Sequence, residues 1–306
     1  MDGLILVHKP GGLTSHDIII RIRRILTIKK VGHFGTLDPL ATGLLLIAVG
    51  KATRLFPFFL KTAKTYEGQI RLGYSTDTYD SDGNPRSKKS VEYPDTNTLV
   101  ENMKRFSGEI EQIPPPYSAK KYKGEALYKR VRMKKDYELK PARVFIHVFT
   151  LKKYSPPLMD FEAKCSSGTY IRSLAHDLGQ NLGCGAHLNR LVRTQIGKYN
   201  IKESHSIEEI EELHATGQTQ KFLRPIESLL PDFPSIVAKC EDVPHIKNGR
   251  EFYPDSIPGS VYSQAETDGE DPEKRPIFRV FDAKGRLIAF ATKNKEKDSL
   301  HPFMVF

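Results

Sequence analysis

Val31-Gly32-His33-Phe34-Gly35-Thr36-Leu37-Asp38-Pro39-Leu40-Ala41-Thr42-Gly43 leads directly into the apolar run Leu44-Leu45-Leu46-Ile47-Ala48-Val49. Glycines and a proline at this density make a poor helix interior. They suit a tight loop, because glycine reaches positive φ and proline locks its own. The run that follows reads as a buried strand. A short loop anchored on such a strand holds its side chains still, and the carboxylate it carries is Asp38. An Asp-Pro pair also occurs in ordinary turns whose aspartate caps the backbone. The length of this segment argues for more than that.

Outward from the loop, the chain alternates strands and helices. Upstream, Gly3–Val7 reads as a short buried strand and Lys9–Thr14 as a turn. Ser15 is placed as the N-cap of a helix to about Leu26, with Ile18, Ile22, Ile25 and Leu26 as its apolar stripe. Downstream, Lys64–Leu72 alternates like a strand around Tyr66, Ile70 and Leu72, and Thr76–Asn84 is a polar turn. Asp95–Phe106 predicts an amphipathic helix, Ile113–Tyr117 is stiff and extended, and Ser118–Lys140 is a basic arm poor in aliphatic residues. Arg143–Tyr154 and Leu158–Cys165 predict two strands, and Thr169 to about Leu182 a helix. Ser206-Ile207-Glu208-Glu209 predicts a capping box. Pro225–Pro234 reads as a linker with a Leu229-Leu230 plug. From Ser235 short strand-like pieces predict a small β-rich domain, interrupted by the acidic stretch Gln264–Lys274.

Composition narrows the partner. Of 306 residues, 47 are basic and 37 acidic, a net charge of +10, which favours a polyanion and nucleic acid first. The basic residues cluster at Arg21–Lys30 and Lys120–Lys140, the second interleaved with Tyr117, Tyr122, Tyr128 and Tyr137. Cations for phosphates and rings for bases suit single-stranded or looped RNA. The N-terminus shows no signal-peptide pattern, and no apolar run approaches a membrane span. Three separated cysteines, Cys165, Cys184 and Cys240, imply no disulfide framework. A cytoplasmic protein is expected.

Several familiar motifs fail on inspection. Gly50-Lys51 lacks a P-loop's first glycine, where Leu45 stands, and its hydroxyl, where Ala52 stands. Gly183-Cys184-Gly185 lacks the third glycine of a dinucleotide fingerprint, where Leu188 stands. Asp80 and Asp82 have no glutamate at the closing position of a calcium loop, and Cys184 with His187 find no second pair for zinc. Neither a nucleotide cofactor nor a metal is expected.

The ordered motifs carry a resemblance. Lys9-Pro10-x-Gly12-x-Thr14-Ser15, Gly32-His33-x-Gly35-x-Leu37-Asp38-Pro39-x-Ala41-x-Gly43, Tyr66 and Gly168-Thr169-Tyr170-Ile171-Arg172 are similar to successive motifs of the TruB family of tRNA pseudouridine synthases. Asp77-Thr78-x-Asp80-x-Asp82-Gly83, Pro116-x-Ser118-Ala119-x-Lys121 and Leu182–Leu188 resemble its bacterial branch. The resemblance runs from Gly3 to about Pro231; beyond it, Ile246-Lys247-Asn248-Gly249 and Gly285-Arg286-Leu287 resemble a PUA-type RNA-binding domain. After Leu127-Tyr128 the chain departs from the family's Ala-Arg-x-Gly pattern with Arg130-Val131-Arg132-Met133-Lys134.

That resemblance implies an α/β (α+β) fold: a mixed, mostly antiparallel sheet flanked by helices over residues 1–231, with a PUA-like domain over 235–306. It implies conversion of uridine 55 in the tRNA T loop to pseudouridine by N1–C1′ cleavage, base rotation and C5–C1′ bond formation, without a cofactor. Asp38 would be the catalytic carboxylate, attacking the sugar or taking a C2′ proton. Arg172 would be its ion-pair partner and Tyr66 the ring that stacks on uracil, with help in removing the C5 proton as a second role. Asp80 would support them, while Tyr170 and Ile171 line the pocket. His33 would fill the space left by the flipped base, and Lys9, Lys120 and Lys121 would meet phosphates. A monomer acting on the T arm is expected. The rival readings are a tRNA-folding module without chemistry and a sister enzyme guided by RNA within a complex.

Overall fold

The computed structural model describes residues 1–118, 121–122, 125–126, 133, 139–258, 276–294 and 297–306. Most of the expected basic arm, and the acidic stretch Gln264–Lys274, lie outside the described residues.

A ten-stranded sheet organises the chain up to Pro225. Its strands are β1 (Gly3–Lys9), β2 (Val31–His33), β3 (Thr42–Val49), β4 (Lys64–Leu72) and β5 (Gly108–Gln112). After a small separate hairpin, β6 (Lys121–Tyr122) and β7 (Glu125–Ala126), come β8 (Ala142–Ser155), β9 (Leu158–Cys165), β10 (Ala186–Ile196), β11 (Tyr199–Asn200) and β12 (Leu223–Pro225). The spatial order is β12-β1-β3-β10-β4-β9-β8-β5, with β2 on β3 and β11 on β10. Only the β3–β10 pairing is parallel; the sheet is mixed and mostly antiparallel, as expected.

The apolar run after the Asp38 loop explains itself in this setting. Leu45, Ile47 and Val49 enter one core and Leu44, Leu46 and Ala48 the other, so β3 is buried on both faces. Neighbouring β1 does the same, with Ile5 and Val7 on one side and Leu4 and Leu6 on the other. Strands covered on both sides lose the apolar–polar alternation of a half-exposed strand.

Helices α1 (Ser15–Leu26), α3 (Thr96–Lys104), α4 (Ile171–Asn181) and α5 (Ile207–Ala215) supply residues to the first core, while α2 (Phe56–Leu60) belongs to the second. The N-cap of α1 is Thr14 rather than Ser15: Thr14 and Asp17 close a full capping box. Ser15 is thereby released for another bond, described below. Helix α4 begins at Ile171, not Thr169, with Tyr170 as an extended N-cap. At α5 the Ser206 hydroxyl accepts from Glu209 N–H, but the Glu209 carboxylate lies 2.7 Å from His205 Nδ1, so the expected reciprocal box is half made.

A second sheet of four strands follows: β13 (Ser235–Val237), β14 (Ile277–Phe281), β15 (Leu287–Lys293) and β16 (Leu300–Val305), in that order, with α6 (Val243–Lys247) beside it. It has its own core around Phe252, Phe278 and Val280. It also lends Leu287, Phe290 and Met304 to the second core of the large sheet, where the expected plug residue Leu229 is buried.

Candidate active site

The site forms where the Asp38 loop crosses the end of α4. Helix α4 aims Arg172, in its first turn, back across the sheet. Arg172 NH2 donates to Asp38 Oδ1 at 3.1 Å, and Nε lies 2.9 Å from Asp38 Oδ2, an ion-pair contact without hydrogen-bond geometry. NH1 donates to the Thr78 carbonyl at 3.1 Å and lies 3.4 Å from Asp80 Oδ2; NH2 also donates to the Tyr117 carbonyl at 3.0 Å. The Arg172 side chain is 6% exposed, Asp80 7% and Asp38 37%. One guanidinium thus sits between a closed carboxylate and an open one. Charge pairing and main-chain acceptors offset the cost of burying it. Burial pushes the Asp80 carboxyl up in pKa, against the opposing pull of the Thr78 hydroxyl and Arg172.

Beside Asp38 lies a cleft of about 440 Å³. His33, Tyr66, Tyr170 and Ile171 line it together with Asp38, so the structure brings these five candidates together. Tyr66 stands on β4 opposite Ala163 of β9 and Arg193 of β10. It is buried, and burial raises the pKa of its phenol. His33 ends β2; burial and then the Arg193 charge lower its pKa, and its Nδ1 has no hydrogen-bond partner among the described residues. Tyr170 is held by its main chain: Gln112 on β5 accepts from its N–H at 2.8 Å and donates to its carbonyl at 3.0 Å.

The Asp38 loop is fixed from below by the first turn of the chain. Ser15 Oγ donates to the Leu37 carbonyl at 3.2 Å and accepts from Leu37 N–H at 2.8 Å. Gly12 N–H donates to the Pro39 carbonyl at 2.9 Å, and Ala41 N–H closes the turn onto the Asp38 carbonyl at 3.1 Å. Lys9 corrects an expectation here. It is fully buried, and its ammonium donates to the carbonyls of Leu13 at 2.7 Å, Pro10 at 2.9 Å and Pro39 at 3.4 Å. Those bonds consume its donors, so it is a pin under the loop and not a phosphate contact. Burial lowers its pKa to about 8, against the raising effect of Asp38. Lys120 and the side chain of Lys121 lie outside the described residues.

Arg193 is the residue the sequence reading missed. It is fully buried on β10; Nε donates to the Leu44 carbonyl at 2.8 Å, NH2 to Gly35 at 3.0 Å and NH1 to Thr36 at 3.2 Å. It ties both ends of the Asp38 loop to the centre of the sheet and forms part of the cleft wall. Gly43 permits this approach. It has φ +98°, and a Cβ there would stand 2.5 Å from the Arg193 carbonyl oxygen. Lys64 and Leu191 also line the cleft unannounced; burial first, and Arg193 second, bring the Lys64 pKa down to about 8. Among the described residues, no group of His, Cys, Asp or Glu is arranged to hold a metal, and no helix is long and apolar enough to cross a membrane.

Comparison with known proteins meets this geometry. Residues 23–171 match the TruB family pseudouridylate synthase N-terminal domain, and 172–231 the tRNA pseudouridylate synthase B C-terminal domain. The chain is 42% identical over 270 residues to the tRNA pseudouridine synthase B of Solibacter usitatus, covering 87% of this chain and 92% of that one. The chain belongs to the TruB family of pseudouridine synthases. Its likeness to the Dehalococcoides mccartyi tRNA pseudouridine synthase B runs over 306 residues at 38% identity, all of this chain and 97% of that one. The fold of this TruB-family enzyme is also that of a chain from an H/ACA RNP bound to a substrate RNA containing 2′-deoxyuridine. There the TM-score is 0.70 at 22% identity, over 99% of this chain and 84% of that one.

Proposed function

We propose that this enzyme isomerises uridine 55 in the T loop of tRNA to pseudouridine, with Asp38 as its one reacting carboxylate. The observation that carries this is the Asp38–Arg172–Asp80 array at the lip of a cleft walled by Tyr66, His33, Tyr170 and Ile171. The curated relatives bear the name tRNA pseudouridine synthase B, which supports tRNA as the substrate. The chemistry balances without a co-reactant. The N1–C1′ bond breaks, uracil turns, C5 bonds to C1′, C5 gives up its proton and N1 gains one.

Each residue then has work suited to its surroundings. Asp38 meets the flipped nucleotide at the sugar, as nucleophile at C1′ or as base at C2′; both routes need the half-open carboxylate that Arg172 holds in place. Tyr66 lays its ring against uracil, and its phenol, kept protonated by burial, serves as a donor and not as a standing base. His33 fills the gap left in the RNA stack. A flipped base costs a few kcal/mol of stacking, and a flat, uncharged imidazole recovers part of it. Lys120 and Lys121 bind phosphates of the T arm.

We further propose residues 1–231 as the catalytic unit, with the basic Ser118–Lys140 segment binding the T arm. Residues 235–306 form a PUA-like unit reaching toward the acceptor end, and the enzyme works as a cytoplasmic monomer. The test is Asp38→Asn with tRNA carrying tritium at uracil C5. Loss of tritium release by about 10²–10⁴-fold is expected from removing a reacting acid–base group. Release at the native rate refutes the assignment.

A further inference from the structure

Two parallel tethers join the turn carrying Asp80 to helix α4. The first is polar: Arg172 NH1 donates to the Thr78 carbonyl and lies 3.4 Å from Asp80 Oδ2, while the Thr78 hydroxyl bonds the other oxygen of that carboxylate. The second is a ring stack: Tyr79 and His176 lie face to face, with centroids 3.8 Å apart and planes 7° from parallel. Arg172 and His176 are four residues apart on α4, hence on the same face of the helix. Tyr79 stands between Thr78 and Asp80. The tethers are therefore adjacent at both ends.

Tyr79 has φ +64°, a left-handed conformation that disfavours a bulky side chain and that glycine would take without strain. Such conformations persist where the surroundings over-determine them. Here Leu188 N–H donates to the Tyr79 carbonyl at 3.0 Å, and the ring is laid on His176. His176 Nδ1 has no hydrogen-bond partner among the described residues, and burial lowers the imidazole's pKa, so an uncharged ring faces Tyr79.

We propose that the Tyr79–His176 stack is a positioning device for the reaction: it sets the Asp80 turn against α4 so that Asp80 engages Arg172 NH1 and leaves Nε and NH2 for Asp38. Neither ring lines the cleft, so the stack acts through Arg172 and not on the RNA. The inference rests on the reading of Asp38 as the reacting carboxylate.

The experiment measures single-turnover tritium release and equilibrium tRNA binding for Tyr79→Gly, Tyr79→Phe, His176→Ala and His176→Phe. Tyr79→Gly removes the ring while relieving the backbone. A misplacement near 1 Å costs on the order of 10²-fold in rate, so Tyr79→Gly and His176→Ala should each slow the reaction by about 10- to 100-fold. Affinity for tRNA should stay within about twofold. The phenylalanine variants keep a flat ring and should restore the rate to within about threefold. In an Asp80→Asn background, Tyr79→Gly should add little, because two perturbations of one network are not independent.

Native rates in both ring-deletion variants overturn the proposal, as do equal losses in the phenylalanine variants or a full additional loss on top of Asp80→Asn. If Tyr79→Gly does not fold, the His176→Ala and His176→Phe pair decides alone. Native turnover by Asp38→Asn removes the underlying reading. A silent stack in an enzyme that Asp38→Asn inactivates refutes only the positioning role.

Discussion

Replacing Arg193 by lysine keeps the charge and discards the geometry. The guanidinium spans three carbonyls, of Gly35, Thr36 and Leu44, at 2.8–3.2 Å from a side chain with no exposure. An ammonium on a flexible stem cannot reproduce that fork. If it keeps the bond to Leu44, the carbonyls of Gly35 and Thr36 lose their charged partner at the wall of the cleft. Hydrogen bonds to charged groups are worth about 1.5–3 kcal/mol each, so losing two costs roughly 3–6 kcal/mol, less what water in the cleft restores. For a chain of this size that lowers Tm by on the order of 10 °C. The loss is local, because the released segment runs straight into Asp38. We expect tritium release from labelled tRNA to fall by about 10²-fold, the penalty for a reacting group displaced by about 1 Å. Calorimetry and single-turnover assays on the same preparation check both numbers. An Arg193→Lys enzyme with native Tm and native rate would show that the loop holds its shape without the fork, and the reasoning would be wrong.

Two further substitutions probe the same ground. Gly43→Ala places a Cβ 2.5 Å from the Arg193 carbonyl at φ +98°, where both atoms belong to paired strands that cannot yield separately. The expected outcome is a loss of more than about 3 kcal/mol, read by urea denaturation or as insoluble protein. Asp177 on α4 has its pKa raised by burial from 3.8 to about 6. Between those values the folded state binds the extra proton, so this group's penalty sets in as pH rises from about 4 to 6 and persists above. Asp177→Asn should therefore stabilise the protein by about 1–2 kcal/mol at pH 8 and by little at pH 4, measured by denaturant melts at both.

Strand β4 was legible because Tyr66, Ile70 and Leu72 keep a strict alternation over Lys64–Leu72. Strand β3 was legible for the opposite reason, as both faces are covered and the run is wholly apolar. Strand β10 was not. Bulges between Leu188 and Arg190 and between Arg193 and Gln195 shift its inward positions, so no period of two survives in Ala186–Ile196. Arg193 was lost with it, since a lone arginine reads as surface until its strand is placed. The Asp38–Arg172 contact joins residues 134 positions apart, and motif order pointed to it where local pattern could not. The phosphate role of Lys9 came from the family resemblance and not from its surroundings. Nothing local announced that the carbonyls of Pro10, Leu13 and Pro39 would converge on it.

The short helix α2 is a wall shared by two rooms. On one side Phe59 stacks on Phe34 at 4.5 Å, and Phe56 and Leu60 edge the cleft beside Asp38. On the other, Phe58 meets Phe290 at 4.9 Å and Phe233 at 5.4 Å, anchoring the C-terminal sheet. The C-terminal sheet is thus no interchangeable appendage. A chimera that borrows this sheet from a relative must bring Phe56–Leu60 with it, or the graft will deform the cleft beside Asp38.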